Sequence, residues 1–325
     1  MASEIVVRDA RQEDNDALIV LDRQCVMGGA IPLVFDRSPD FFARSRAYDS
    51  FRLCVAEEGG TIIGVGGVTV KSLQVNGIRD RWGYFYDLRV KPTHQRRGVA
   101  RRIANVLRDT VLEAGIVGAY SWVIEGNTPS ESFVEGRGNI PLRQCAMALI
   151  SGSDGGESRG FERITERDDE VASLLDATYR LHDFTPPWDP ATLYRTLDRL
   201  APLGWQGLYC RQVHGTWAAC FGLWDYSQVM QLSFRGRPSE KPFRPFFLYP
   251  LGWRDPDTLV EGLRAARAMI TASGGTLLLP YVPGDLLGDV IPPDAVRIGL
   301  TLYVRAPWQG RKQKDRLVFI DPTDL

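Results

Sequence analysis

No apolar run in this chain reaches the ~18 residues that a membrane span requires. The start, Met1-Ala2-Ser3-Glu4, lacks the basic region and apolar stretch of a secretory leader, so a cytoplasmic protein is expected. Charge of one sign is not in excess either: 39 Lys and Arg face 40 Asp and Glu, for a formal net charge of -1. A dedicated nucleic-acid binder carries a strong basic surplus, so nucleic acid is not the expected partner. Histidines are few (His94, His182 and His214), and the five cysteines, Cys25, Cys54, Cys145, Cys210 and Cys220, are widely spaced without a C-x-x-C pair. That argues against zinc or thioredoxin-type chemistry; the thiols are expected to be buried and reduced, with no metal cofactor. The H-E-x-x-H, G-x-x-x-x-G-K-[ST] and strand-borne G-x-S-x-G patterns are also missing, which removes the zincin, P-loop and α/β-hydrolase readings.

What is present suits a globular protein of two domains. There are 325 residues, 44% of them hydrophobic, enough for two cores. Residues 151–160, Ser-Gly-Ser-Asp-Gly-Gly-Glu-Ser-Arg-Gly, contain nothing to bury and read as a flexible linker between domains at 1–150 and 161–325. In the first, strands are predicted near 5–7, 51–55, 61–75, 84–90, 119–124 and 142–150, and helices over 11–24, 39–47, 98–114 and 128–135. The second repeats this order, with strands at 161–164, 207–211, from 216 and at 276–279, and helices at 167–180, 189–200 and 257–272. Local echoes support a duplication: Leu53-Cys54 precedes Gly60-Thr61 as Tyr209-Cys210 precedes Gly215-Thr216.

The most informative run is Tyr84-Phe85-Tyr86-Asp87-Leu88-Arg89-Val90-Lys91-Pro92-Thr93-His94-Gln95-Arg96-Arg97-Gly98-Val99-Ala100. A strand ends, Pro92 stops its ladder, and a helix opens near Gly98. The first turn of a helix has unpaired backbone N–H groups and the positive end of the dipole, so it attracts anions. Small residues at Gly98 and Ala100 let a pyrophosphate come close. Between residues 89 and 108 there are seven Lys or Arg and no Asp or Glu, a field suited to a polyphosphate.

This run resembles the coenzyme-binding motif Q/R-x-x-G-x-G/A of the GNAT acyl-CoA N-acetyltransferase superfamily, with Gln95, Gly98 and Ala100 on its defining positions. A second segment, Glu125 to Gly138, resembles the family's short helix that begins at Asn and ends at Gly. Asn127 would cap it and Pro129 fits its first turn. The resemblance implies an α+β fold: a mixed, mostly antiparallel twisted sheet flanked by helices, here in two tandem copies. It implies acetyl-CoA as co-substrate, with its pyrophosphate on Gln95, Arg96, Arg97, Gly98, Val99 and Ala100. Leu88 and Val90 would hold the pantetheine and thioester, and Asn127, with Ser130 in the same segment, would lie beside the pantetheine arm. The implied reaction is transfer of acetyl to a primary amine of a small molecule or peptide. Asp87 stands where several relatives carry an acid that contacts the amine, an ion pair with Arg89 or Arg81 being the alternative. Tyr86 is a second catalytic candidate, on the opposite face in a regular strand unless a bulge changes the phase. Val134 departs from the family, which often has Tyr there to protonate the leaving thiolate. That departure keeps a second class open, a non-catalytic acyl-CoA-binding sensor or scaffold.

In the second half the corresponding junction, Tyr249 to Asp257, contains Pro250, Asp255 and Pro256. Prolines lack the donor and an acid repels a phosphate, so this copy is expected to be degenerate and empty. Its tract from Lys241 to Trp253, dense in Pro and aromatics, leaves open an acceptor-pocket wall, a homodimer interface or an irregular packed loop. The acceptor pocket of the first half is expected around residues 26–45.

Overall fold

The computed structural model describes residues 4–25, 33–152, 160–234, 243–306 and 317–325. The central stretch of the expected linker, residues 153–159, lies outside them, as do residues 26–32 of the expected acceptor region. The first half runs β1 (Ile5–Asp9), α1 (Asn15–Gln24), β2 (Leu33–Asp36), β3 (Arg52–Glu58), β4 (Thr61–Val75), β5 (Ile78–Val90), α2 (Val99–Glu113), β6 (Gly118–Ile124), α3 (Thr128–Glu135) and β7 (Ile140–Ile150). The second runs β8 (Glu162–Ile164), α4 (Asp169–Tyr179), β9 (His182–Asp183), α5 (Pro190–Leu200), β10 (Trp205–Val213), β11 (Thr216–Asp225), β12 (Gln231–Phe234), β13 (Arg244–Trp253), α6 (Pro256–Ala272), β14 (Gly275–Tyr281), α7 (Leu286–Asp289), β15 (Val296–Arg305) and β16 (Leu317–Val318). The result is an α+β architecture built on a mostly antiparallel sheet.

That sheet has 12 strands in the order β1-β3-β4-β5-β6-β15-β7-β14-β13-β11-β10-β8. The order is the same when read inward from either edge, and the two halves exchange their last strands. β15 inserts between β6 and β7, while β7 inserts between β15 and β14. A fragment of residues 1–152 would therefore expose the buried strip from Ala146 to Ile150 and leave β6 without its β15 partner. We expect it to show no cooperative thermal unfolding by circular dichroism; a sharp transition would mean that the first half folds alone.

Three apolar clusters flank the sheet. The stripe Val99, Ile103, Leu107 and Val111 seats α2 on β3 and β4, the helical spacing of a one-sided amphipathic helix. Gly66 makes this approach possible, since a Cβ there would stand 2.8 Å from Ile103. α6 covers a corresponding cluster in the second half. The third cluster takes residues from α1, α4, α5 and both sets of strands, so one core serves both halves.

Two expectations need correction. Residues 39–47 form turns and a 3-10 turn at Arg44–Ala47, not a helix; the Asp40 carboxylate accepts the Phe42 N–H and the Asn15 side chain accepts the Phe41 N–H, local bonds that compete with a helical ladder. For the tract ending at Trp253 only the irregular-loop alternative fails, since it contains strand β13, buried along most of its length between β11 and β14.

Candidate functional site

β5 and β6 run parallel but pair only over Trp82–Tyr84 and Gly118–Tyr120. Beyond the Tyr84–Tyr120 rung they separate, while β6 continues paired to β15 on its other edge. The β6-facing backbone edge from Phe85 to Val90 is thus open, a place where an extended ligand can add hydrogen bonds as a strand would.

The loop after β5 is shaped by two left-handed residues, Arg96 with φ 60° and Gly98 with φ 78°. Gly98 precedes α2 and its Cβ direction is empty. No side chain caps this helix, and the first intrahelical bond is Arg102 N to Gly98 O, so the N–H groups before it are available to an anion. The seven basic side chains divide. Arg89 turns inward to Asp22, Arg97 pairs with Glu58, and Arg108 with Asp109. Arg97 is thus drawn away from the loop's anion site, beside His94, which also reaches Glu58 at 3.2 Å. Gln95 donates to the Val90 carbonyl at 3.4 Å and ties the loop to the strand end. Arg137 follows α3, and burial together with Arg108, Arg305 and Arg101 lowers its pKa; an electropositive mouth of this kind attracts polyphosphate.

One cavity of about 2110 Å³ joins these features. Tyr86, Asp87, Leu88, Val90, Gln95, Arg96, Gly98, Val99, Ala100, Asn127 and Ser130 all line it, and so does Val134. Asn127 caps α3 by accepting the Ser130 N–H. Met147 and Leu149 of β7, Ile298 and Leu300 of β15, and Phe243 and Phe247 of the second half line the same cavity.

A bulge in β5 changes the expected phase. Tyr86 opposes Gly67 and Arg89 opposes Val65, while Asp87 takes φ 53°. Asp87 therefore joins Tyr84 and Tyr86 on one face: Arg44 donates to Asp87 at 2.7 Å and sits over the Tyr86 ring. Arg37 also donates to Asp87 at 2.7 Å. Burial pushes the Asp87 carboxyl up, but the guanidiniums of Arg37, Arg44 and Arg89 outweigh it and hold it well below the usual range. A carboxylate so held is a weak base. Asp87→Asn should cost about 3–5 kcal/mol in a denaturant titration, because two buried arginines lose their partner; a loss under 1 kcal/mol would contradict this anchoring role. The Tyr86 hydroxyl meets Ser45 at 3.0 Å, and burial raises its pKa.

No motif surrounds Asp324, and nothing local in the sequence marks it. It is 3% exposed and lines the cavity. Its carboxylate accepts from Lys71 at 2.8 Å and Tyr120 at 2.8 Å, and its carbonyl accepts from Tyr84 and Arg44. Tyr84 and Tyr120 are the last rung before β5 and β6 part, so Asp324 stands at the vertex of the notch. Burial, with Asp321 beside it, pushes its pKa up to about 6 despite Lys71.

In the second half β13 and β14 diverge in the same way after Phe247 and Leu278, but Leu248, Leu251, Leu259 and Leu279 pack there. The Asp255 carboxylate caps α6 by accepting the Thr258 N–H at 2.9 Å, occupying a donor that α2 leaves free. Among the described residues no helix is long and apolar enough to cross a membrane, and no cluster of His, Cys, Asp and Glu is arranged for a metal.

Residues 23–138 match the family model "Acetyltransferase (GNAT) family". No curated protein is similar enough in sequence to count as a relative. Among solved structures, N-myristoyltransferase from Saccharomyces cerevisiae with bound myristoyl-CoA superposes at TM-score 0.69 and 11% identity, covering 94% of this chain and 83% of that one. A GCN5-related N-acetyltransferase from Anabaena variabilis superposes at 0.57 and 13%, covering 93% and 73%. At these identities the likeness is one of fold. Through residues 23–138, the N-terminal half of this chain is similar to the acetyltransferase (GNAT) family.

Proposed function

We propose that this chain transfers an acetyl group from acetyl-CoA to a primary amine by direct attack in a ternary complex. The observation that carries this reading is the splayed notch between β5 and β6, opening at one end onto the uncapped start of α2 and closing at the other on Asp324. The pyrophosphate lies on residues 95–100 and the pantetheine along Leu88 and Val90, beside Asn127 and Ser130. The amine nitrogen attacks the thioester carbonyl, the C–N bond forms and the C–S bond breaks. Asp324 takes the proton that the amine loses, a role we assign to it in place of Asp87. The thiolate leaves beside Val134 and is protonated by water. A CoA thioester as donor also agrees with the myristoyl-CoA bound by the yeast neighbour of similar fold.

The test is thiol release from acetyl-CoA, octanoyl-CoA and myristoyl-CoA with a panel of amines. Release that depends on the amine and is fastest with acetyl-CoA supports the reading. Tight acyl-CoA binding without release from any donor would leave the non-catalytic sensor.

A further inference from the structure

The buried charges at the cavity wall are balanced in sum but separated into two poles. Arg37, Arg44 and Arg89 face two carboxylates, Asp22 and Asp87, which leaves one positive charge over. All three arginines are buried, with side-chain exposures of 0%, 7% and 2%. Among the described residues their Nε atoms have no hydrogen-bond partner, and neither have the carboxylate oxygens of Asp22 or the hydroxyl of Tyr226. Arg37, Arg44, Arg89 and Tyr226 stand together in the cavity wall. A buried, unpaired donor is costly, and a buried charge more so. A water molecule would satisfy a donor but not the charge; an anion satisfies both.

A pole of the opposite sign adjoins this one. Lys71 faces two carboxylates, Asp321 and Asp324, and Arg44 bridges the poles by donating to the Asp324 carbonyl at 2.7 Å. The same cavity is lined by apolar side chains such as Leu33, Phe35, Met230 and Phe247.

We infer that the acceptor is an amine that also bears a carboxylate, an amino acid with a large apolar side chain, whose carboxylate docks on Arg37, Arg44, Arg89 and Tyr226. This rests on the acyl-transfer reading above and adds the acceptor class. The amino group then lies toward Asp324, the side chain among the apolar residues.

The test uses the full-length chain with acetyl-CoA and three probes of one shape: L-phenylalanine, L-phenylalaninamide and 2-phenylethylamine. One charge-assisted contact is worth about 10- to 100-fold, so the acid should exceed both others in kcat/KM by at least that factor. Tyr226→Phe removes a hydroxyl without an internal partner, so the protein should fold; the KM for L-phenylalanine should rise about tenfold, and the CoA-induced rise in melting temperature should persist. Arg37→Met should abolish the preference for the acid. If acid, amide and amine react alike, or the amine best, the carboxylate dock is overturned while acyl transfer stands. If no probe releases thiol, acyl transfer fails, and the melting temperature of the CoA-loaded protein decides the dock. A rise with L-phenylalanine that Tyr226→Phe removes upholds it, and no rise overturns it.

Discussion

Asp324→Asn should lower kcat by about 10²- to 10⁴-fold, the usual worth of a positioned proton acceptor, while acetyl-CoA binds as before. In the wild type with acceptor saturating, kcat should rise with pH through about 6, where this carboxyl ionises, and be level above. The variant should lose that limb. Stability should move the other way. A carboxyl raised in the folded state stabilises while protonated; that contribution is complete below the ordinary carboxyl pKa of 3.8 and is lost as pH rises through about 6. At pH 8 the ionised Asp324 therefore burdens the fold, and neutral Asn, with Asp321 still on Lys71, should melt no lower than the wild type. Full activity in the variant, or a pH limb that survives it, would remove Asp324 from the reaction.

Gly98→Glu should abolish the coenzyme-induced rise in melting temperature, a stabilisation that in the wild type reaches about 2.7 kcal/mol at 100 times the dissociation constant. Nothing in the protein occupies the space in front of Gly98, so the new side chain meets no internal atom. It places a carboxylate where the pyrophosphate would sit, and the positive φ adds strain for any side chain. Gly98→Ala separates the two effects: it keeps the strain without the charge and should bind weakly. An unchanged shift in folded Gly98→Glu protein would move the coenzyme elsewhere.

The sequence disclosed what is local and periodic. The stripe on α2, the Asn127 cap and the loop from Gln95 to Ala100 could be read because helix spacing, caps and left-handed glycines leave marks within a few residues. The exchange of β7 and β15 was not legible, since both are plain apolar strands and pairing partners some 150 residues away leave no trace in periodicity. The bulge at Asp87 was foreseen only as an alternative; one left-handed residue decided whether Asp87 joined Tyr84 and Tyr86. Asp324 was invisible, because its pKa comes from burial against Lys71, Tyr120 and Tyr84, which lie far from it in the chain. The arginine cluster escaped for the same reason: Arg37 and Arg44 lie in a segment predicted as partly helical, and only the folded turn brings them to Asp87.

The measurement that bears most directly on this account is a calorimetric titration of the full-length chain with CoA. The two notches share one topology, but α2 offers free N–H groups beside basic side chains, whereas α6 is closed by Asp255 and its notch is filled with leucines. One CoA per chain is expected, and none for Gly98→Glu. Two per chain, or one that persists in Gly98→Glu, would contradict it.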